Sequence, residues 1–407
     1  MEIKMNKRRG LSYTIIDFLW VIAFCPKEIQ FVVIFLLTFF LWAKHPFLKI
    51  KKDSFILTYI IVTAIYAFSI VMSLLMGQHE MPRVFATFNT LAITILGIIL
   101  YQVYQQNNIE KEKIQKSMFR NMCILIFIWI LFILIQEKGN ALSFLPGPLC
   151  GSDWSNGVIY TRFCGYLEYV NLIVYMHLFS FGLSFDYVKR QYGKFGASIY
   201  AVISLFPVVS ARSRVGILGC VLVVAISILF MNWQGIAKFW IHNKREIIIL
   251  LLISILIIGI IGKDFFISIY ERMMLYRAGS SETRLAIYTD SINKMLSESP
   301  IWGCGVKDIW YLLPYGSHST FIGMYFKTGI VGGTIFTVGM LVSVLKTLFF
   351  KKTYDLYRLS MNLSLVGVLV VSLFEDLDGA DWNFAIFMIF TSLVFKENCK
   401  TTKMEIM

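Results

Sequence analysis

The chain has 407 residues, of which 57% are hydrophobic, and a mean hydropathy of +0.69. A water-soluble domain of this length could not bury so much apolar surface. The formal net charge of +13 would be typical of a nucleic-acid-binding protein in water, but in a membrane protein basic residues set orientation instead. The composition therefore predicts a polytopic membrane protein and gives no reason to expect nucleic acid as a partner.

Twelve apolar blocks approach the roughly 20 residues that a helix needs to cross the hydrocarbon of a bilayer. They lie near 11–24, 28–43, 54–76, 82–104, 117–136, 166–188, 195–210, 214–231, 246–262, 319–346, 357–375 and 382–395. We find no internal repeat and no appended soluble domain. Residues 1–407 are thus predicted to form one all-α integral membrane domain with about 12 transmembrane helices.

Basic residues are concentrated in alternate connections between these blocks. Such connections and the adjoining block ends contain 25 of the 38 Lys and Arg residues, and the positive-inside rule places them in the cytoplasm. With an even number of crossings, both termini are then cytoplasmic. The long connections 137–165 and 263–318 become external loops, the second of them between the ninth and tenth predicted helices.

The two external loops differ in pattern. Pro146-Gly147-Pro148 favours turns in 137–165 over a regular element. The loop 263–318 predicts an amphipathic helix at the membrane interface, because apolar residues recur there at helical spacing. They are Leu285, Tyr288, Ile292, Met295 and Leu296. Ser280 or Ser281 could cap its start, and Pro300 would end it.

Two arginines in a tight external turn are candidates for binding an anion. Arg212 and Arg214 lie in Ser210-Ala211-Arg212-Ser213-Arg214, on the side where orientation rules do not favour cations. The planar fork of an arginine suits phosphate oxygens. Contact of two snorkelling side chains with lipid headgroups is the alternative.

Arg284 and His318 in the loop 263–318 are the next candidates. An arginine on an amphipathic helix is otherwise part of a solvated face. His318 is expected at the external start of the tenth predicted helix, with Ser317 as its cap. The positive end of a helix keeps a histidine neutral, able to accept a proton, and attracts anions. A polar helix-start residue at the interface is the alternative.

Further polar residues could support such a site. Arg162 precedes Glu168 and Asn171, which would share one helix face as i and i+3 neighbours, unless they only serve the helix start. Lys327 lies about nine residues into its helix and should face protein or water, with Glu375 or Asp376 as an acidic partner. The acidic turn 375–378 could bind a cation or sugar hydroxyls, or be solvated.

Several of these residues stand in an ordered set of motifs across 160–335. The motifs are Arg162-Phe163-Cys164-Gly165 with Asn171, Ser213-Arg214-Val215-Gly216, Arg284, Glu298-Ser299-Pro300-Ile301-Trp302-Gly303-Cys304-Gly305, and His318-Ser319-Thr320-Phe321 with Gly329-Ile330-Val331-Gly332. The set resembles the successive signatures of the O-antigen ligase and Wzy-type O-antigen and capsular polysaccharide polymerase superfamily. Ser319 departs from the family pattern, which often has Asn there.

The resemblance implies a GT-C-like fold and a function at the external face of the cytoplasmic membrane. Family members transfer a glycan from an undecaprenyl-diphosphate carrier to an acceptor without nucleotide sugars. By resemblance, Arg214 and Arg284 would bind the diphosphate, with help from Arg212, and His318 would activate the acceptor hydroxyl. No metal or other cofactor is implied, and the need for a chain-length regulator stays open.

These observations together predict an inverting polymerase that joins lipid-linked repeat units, in contact with membrane lipids. The supporting residues would be Arg162, Glu168, Asn171 and Lys327. A ligase that passes finished glycan to a terminal acceptor uses the same donor chemistry and is the first alternative. A flippase or exporter of lipid-linked glycan is the second, since it would need the arginines but no base.

Overall fold

The structure of the chain is a computed structural model. It describes residues 12–44, 50–51, 53–77, 79–107, 110–136, 150–155, 158–168, 170–242, 278–310, 313–349, 355–377, 379 and 381–404. The predicted helix near 246–262 lies outside these residues, and so does the part of the loop 137–165 that precedes Cys150.

Within the described ranges the chain is predominantly helical. The helices are α1 (Ser12–Asp17), α2 (Leu19–Phe24), α3 (Lys27–Lys44), α4 (Ser54–Met76), α5 (Met81–Gln106), α6 (Lys111–Gln136), α7 (Leu172–Ser210), α8 (Arg214–His242), α9 (Ala278–Glu298), α10 (Thr320–Phe349), α11 (Leu356–Ser372) and α12 (Trp382–Met404). Two antiparallel hairpins pair β1 (Cys150–Ser155) with β2 (Val158–Phe163) and β3 (Ile309–Trp310) with β4 (Leu313–Pro314). The first hairpin corrects our expectation that 137–165 contains turns alone.

Six of the described helices are long and apolar enough to cross a bilayer, namely α4, α5, α6, α7, α8 and α10. Apolar parts of α3 and α11 are shorter, and the block 11–24 is divided at Phe18 into α1 and α2. The chain is therefore an all-α, multi-pass membrane protein. The count of twelve crossings and the orientation of the termini remain predictions.

The helical stretch α7 is two helices that meet at Gly193, where φ is +70°. Hydrogen bonds join Ser184 to Tyr200 at 2.7 Å and His177 to Ser204 at 3.1 Å. The residue farther before Gly193, His177, pairs with the residue farther after it, Ser204. The two helices are therefore antiparallel. The predicted blocks 166–188 and 195–210 are thus confirmed as separate helices, although the first begins at Leu172 and not at 166.

The last helix, α12, lies at the centre of the bundle. Its residues from Trp382 to Phe395 are all buried, and a helix that is apolar on every side is typical of a core position. Aromatic rings of α4 and α7 pack against it, as in the contacts of Phe387 with Phe55 at 5.8 Å and of Phe390 with Phe179 at 5.4 Å. Helices such as α3 instead expose large apolar side chains, as expected of surfaces that face lipid.

The two ends of the bundle carry different residues. At one end Lys51 donates to Gln105 at 2.9 Å, Lys396 donates to the Tyr104 carbonyl at 3.0 Å, and the Lys111 Nζ lies 3.5 Å from the Tyr357 ring centroid. These lysines belong to segments predicted to be cytoplasmic. The opposite end, here called the site end, carries the N-termini of α5, α8 and α10 and the turn 373–377 after α11.

Candidate functional site

The turn that precedes α10 places His318 at the site end. Ser319 caps the helix, because its Oγ accepts from the Ile322 N–H at 3.2 Å. The expected cap, Ser317, is therefore wrong by two residues, and His318 lies just outside the helix. Thr320 fastens this turn to the segment after α11, since its Oγ1 donates to the Glu375 carbonyl at 3.0 Å.

The backbone of His318 is held from two sides. Its N–H donates to Asp376 Oδ2 at 3.0 Å, and its carbonyl accepts from the Tyr288 hydroxyl at 2.5 Å. Among the described residues, none hydrogen-bonds to the imidazole ring, which is partly exposed. The backbone is thus fixed while both ring nitrogens remain available to a substrate.

The surroundings of His318 favour a neutral imidazole. Burial and the Arg284 guanidinium lower its pKa below the usual 6.5, whereas Asp376 and Glu375 act in the opposite direction. The direction of the shift agrees with our expectation, but its causes are burial and the Arg284 charge and not the helix terminus. A neutral ring can accept a proton at neutral pH. Burial also raises the pKa of Tyr288 to about 12, so its hydroxyl stays a donor.

Arg284 lies on α9 and contacts the same turn as His318. Its Nη2 donates to Glu375 Oε1 at 2.8 Å and its Nη1 to the Phe374 carbonyl at 2.9 Å. The Glu375 side chain is only 4% exposed, whereas that of Arg284 is 28% exposed. Glu375 and Asp376 of the predicted acidic turn are therefore not simply solvated, because they position Arg284 and His318; Asp378 lies outside the described residues.

The buried face of α9 agrees with the predicted one only in part, because Met295 is buried and Ile292 packs against its cluster but other predicted residues are exposed. Ile287, Ser291 and Met295 are at most 2% exposed, while Leu285 and Leu296 are 66% and 47% exposed. The reason is that α9 packs on polar groups of the site end, where Ser291 Oγ accepts from the Gly316 N–H at 2.7 Å. The expected caps Ser280 and Ser281 lie within the helix, which the structure describes from Ala278.

Arg212 and Arg214 occupy the turn between α7 and α8, also at the site end. Gly219 of α8 packs against Val371 of α11. Arg214 lies five residues before Gly219, about 7 Å along the helix axis toward the same end as Glu375. Arg212 is exposed and Arg214 half-buried at the first position of α8.

Arg162 supports this turn. Its Nε donates to the Ala211 carbonyl at 2.8 Å and its Nη2 to Asn171 Oδ1 at 3.2 Å. Two predicted supporting residues, Arg162 and Asn171, are thus brought together beside Arg212. The predicted i, i+3 relation of Glu168 to Asn171 is wrong, because α7 begins only at Leu172 and Glu168 lies exposed in the preceding turn.

Backbone conformation singles out two of the predicted residues. Arg212 has φ +54° and His318 has φ +63°, and within the described part of the chain no other residue apart from glycine has a positive φ. Such a conformation costs roughly 1–2 kcal/mol. Strained residues that persist because their surroundings hold them are concentrated at functional sites.

Lys327 lies where α10 is interrupted at Gly329, which has φ +65°. The segment 300–305 fills the break: the Cys304 and Gly305 N–H groups donate to the Phe326 and Lys327 carbonyls, at 2.8 and 3.2 Å. In return Ile330 N–H donates to the Pro300 carbonyl at 2.9 Å. Lys327 is 1% exposed, and its Nζ lies 5.1 Å from the Tyr66 ring centroid.

Sequence reasoning missed three residues at the site end, Tyr288, Arg83 and Lys307. Arg83 and Lys307 line a cavity with Lys327 and Asp376. Both are basic residues outside the predicted cytoplasmic segments, so the bias that drew attention to Arg212 and Arg214 could have found them. No comparable signal marks Tyr288, whose role depends on contact with a turn 30 residues away.

Residues 199–337 match the family described as O-antigen ligase. This match confirms the resemblance stated from the motifs, and the matched range contains Arg212, Arg214, Arg284, His318 and Lys327. No curated protein matches the chain. The family's frequent Asn in place of Ser319 also has a physical reading, because Ser and Asn are both good helix N-caps.

Proposed function

We propose that the chain, whose residues 199–337 carry an O-antigen ligase family domain, is a polysaccharide polymerase acting on lipid-linked repeat units at the external membrane face. It would transfer glycan from an undecaprenyl-diphosphate carrier to a sugar hydroxyl of an acceptor repeat unit. The observation that carries the proposal is the His318 turn, whose backbone is bound to Asp376 while the neighbouring Glu375 binds Arg284.

The proposed mechanism assigns separate tasks to base and cations. His318 accepts the proton of the acceptor hydroxyl as that oxygen attacks the anomeric carbon. The bond from the anomeric carbon to the diphosphate oxygen breaks on the opposite side, so the configuration inverts. Arg214 and Arg284, helped by Arg212, stabilise the negative charge that grows on the departing diphosphate.

The supporting residues have structural tasks in this proposal. Arg162 and Asn171 hold the turn that carries Arg212, through the Ala211 carbonyl. Asp376 and Tyr288 fix the backbone of His318. Glu375 and the Phe374 carbonyl orient the Arg284 guanidinium on this turn.

A ligase remains the alternative, because the donor chemistry and the family are the same. The test is extension of a purified undecaprenyl-diphosphate repeat unit by purified protein in lipid nanodiscs, followed on a gel. A ladder of products of increasing length supports the polymerase. A single transfer to a different acceptor lipid, with no ladder from the repeat unit alone, would support the ligase and contradict our proposal.

A further inference from the structure

A cavity of about 110 Å³ lies at the site end between α5, α10 and the turn after α11. Its charged lining residues are Arg83, Lys307, Lys327 and Asp376. Three cations thus face one carboxylate, and threonine hydroxyls and the Tyr66 ring complete a lining suited to a polar ligand. The volume accommodates several water molecules or one anionic group of a larger substrate.

Two of the cations are held in place by backbone carbonyls. Arg83 Nε donates to the Lys307 carbonyl at 2.6 Å, and Lys307 Nζ donates to the Gly316 carbonyl at 3.1 Å. Among the described residues, no carboxylate lies within 4.0 Å of either charged group. The Asp308 and Glu80 carboxylates act on Arg83 from beyond that distance. Partly buried cations that no carboxylate contacts directly favour an anionic ligand, because it would replace the water that they have lost.

The cavity adjoins the His318 turn. Asp376 lines the cavity and also accepts the His318 N–H. Lys307 donates to Gly316, two residues before His318. The neighbouring Glu375 contacts Arg284. The turn 375–376 therefore lies between Arg284 and the cations of the cavity.

We propose that this cavity binds an anionic oxygen group, phosphate or carboxylate, of the glycan substrate whose hydroxyl His318 activates. The proposal rests on the proposed function, which supplies that substrate. Two sources have the required chemistry, the diphosphate of a lipid carrier and the carboxylate of an acidic sugar. In either case the cavity is a second anion site, additional to Arg214 and Arg284.

The test measures anion binding by the purified full-length protein without turnover. Isothermal titration uses inorganic pyrophosphate, sodium glucuronate and glucose as probes. At least one anion should bind and glucose should not. In the double variant Arg83→Gln/Lys307→Gln the Kd for that anion should rise at least about tenfold. The charge-matched control Lys113→Gln/Lys116→Gln alters two exposed lysines of α6 and should leave the Kd unchanged.

The pattern of results identifies the source. If the cavity variants raise only the Kd for pyrophosphate, the cavity binds the diphosphate of the carrier. If they raise only the Kd for glucuronate, the cavity binds the carboxylate of an acidic sugar. If the double variant melts early, Lys307→Gln alone and Arg83→Lys replace it; the first should weaken binding and the second should retain most of it. If the Kd for each anion is the same in the cavity variants as in the wild type, the proposal is overturned.

The outcome is separate from that of the proposed function. A His318→Gly protein should bind the anion as the wild type does, whatever its activity. If the cavity variants weaken anion binding but the wild-type protein extends no repeat unit, the anion site is supported and the polymerase function is rejected.

Discussion

The backbone N–H of His318 donates to the Asp376 carboxylate at 3.0 Å, across 58 residues of sequence. This bond holds a histidine in the left-handed region, with φ +63°. It joins the start of α10 to the turn after α11, so the proposed base and the partner of Arg284 form one unit. The same carboxylate acts on the charge of the imidazole.

Replacing His318 by glycine should separate chemistry from backbone strain. Glycine adopts a positive φ without cost, so His318→Gly should keep its abundance and melt within a few degrees of the wild type. Loss of a general base should lower the polymerisation rate about 10²- to 10⁴-fold. The measurement is the initial rate of repeat-unit extension, with Ser319→Asn as a control that keeps the cap and the rate. Wild-type rates in His318→Gly would exclude the base.

The rate should fall on the acidic side as His318 takes up a proton. Because burial and Arg284 lower its pKa, the midpoint of this fall should lie below pH 6.5. Asp376→Asn removes a charge that stabilises the imidazolium, so the midpoint should move to still lower pH. A pH–rate profile of both proteins checks the sign, and a midpoint that moves upward in Asp376→Asn would contradict it.

Removing Arg284 alone should destabilise the protein, contrary to the simple expectation for a binding residue. It removes the Arg284 contact from the Glu375 carboxylate, which is 4% exposed, and this should cost about 2–4 kcal/mol, toward the low end because Arg284 is partly exposed. Arg284→Gln/Glu375→Gln replaces the ion pair by two amides and should recover most of that stability.

The same pair of variants tests diphosphate binding. If Arg284 contacts the carrier, the double variant should remain inactive although it is folded. Melting temperature and extension rate are measured side by side. Full activity in the folded double variant would show that Arg284 is not needed to bind the diphosphate.

The segment 300–305 should be intolerant of a larger residue at Gly303. A Cβ there would lie 2.3 Å from the Gly329 nitrogen, and φ is +82°. Gly303→Ala should cost about 2–5 kcal/mol from strain and overpacking. Gly193→Ala is the matched control, because φ is +70° and ψ is −178° but nothing lies within 4 Å of its Cβ; only the cost of backbone strain, about 1–3 kcal/mol, should be lost from its stability. Equal melting temperatures for the two variants would disprove the role of the break.

The orientation of the bundle can be tested by cysteine labelling. In a chain whose seven native cysteines are replaced, Glu282→Cys on α9 should react with an impermeant maleimide in intact cells. Lys194→Cys beside Gly193 should react only after permeabilisation. Both side chains are exposed, so reactivity reports sidedness. The reverse pattern would invert the proposed topology and place His318 in the cytoplasm.

The sequence by itself determined the membrane-spanning character and the places of most helices. The run 54–76 coincides with α4 because an unbroken apolar block has one stable solution in a bilayer, a helix that satisfies its own backbone. Capping and charge bias are equally local. The apolar block 214–231 placed Arg214 at the start of α8, and capping placed His318 at the start of α10, although the cap is Ser319 and not Ser317.

Only the tertiary structure decided what these residues contact. Arg284 pairs with Glu375, which lies 91 residues later in the sequence. The segment 300–305 completes the hydrogen bonds of α10 at Gly329. Neither is encoded in periodicity, because a buried charge or a broken helix can be satisfied by any segment that packs against it. For the same reason the apolar stripe of α9 was predicted only in part: Met295 is buried, but Leu285 and Leu296 are exposed because α9 packs on the polar turn at Gly316.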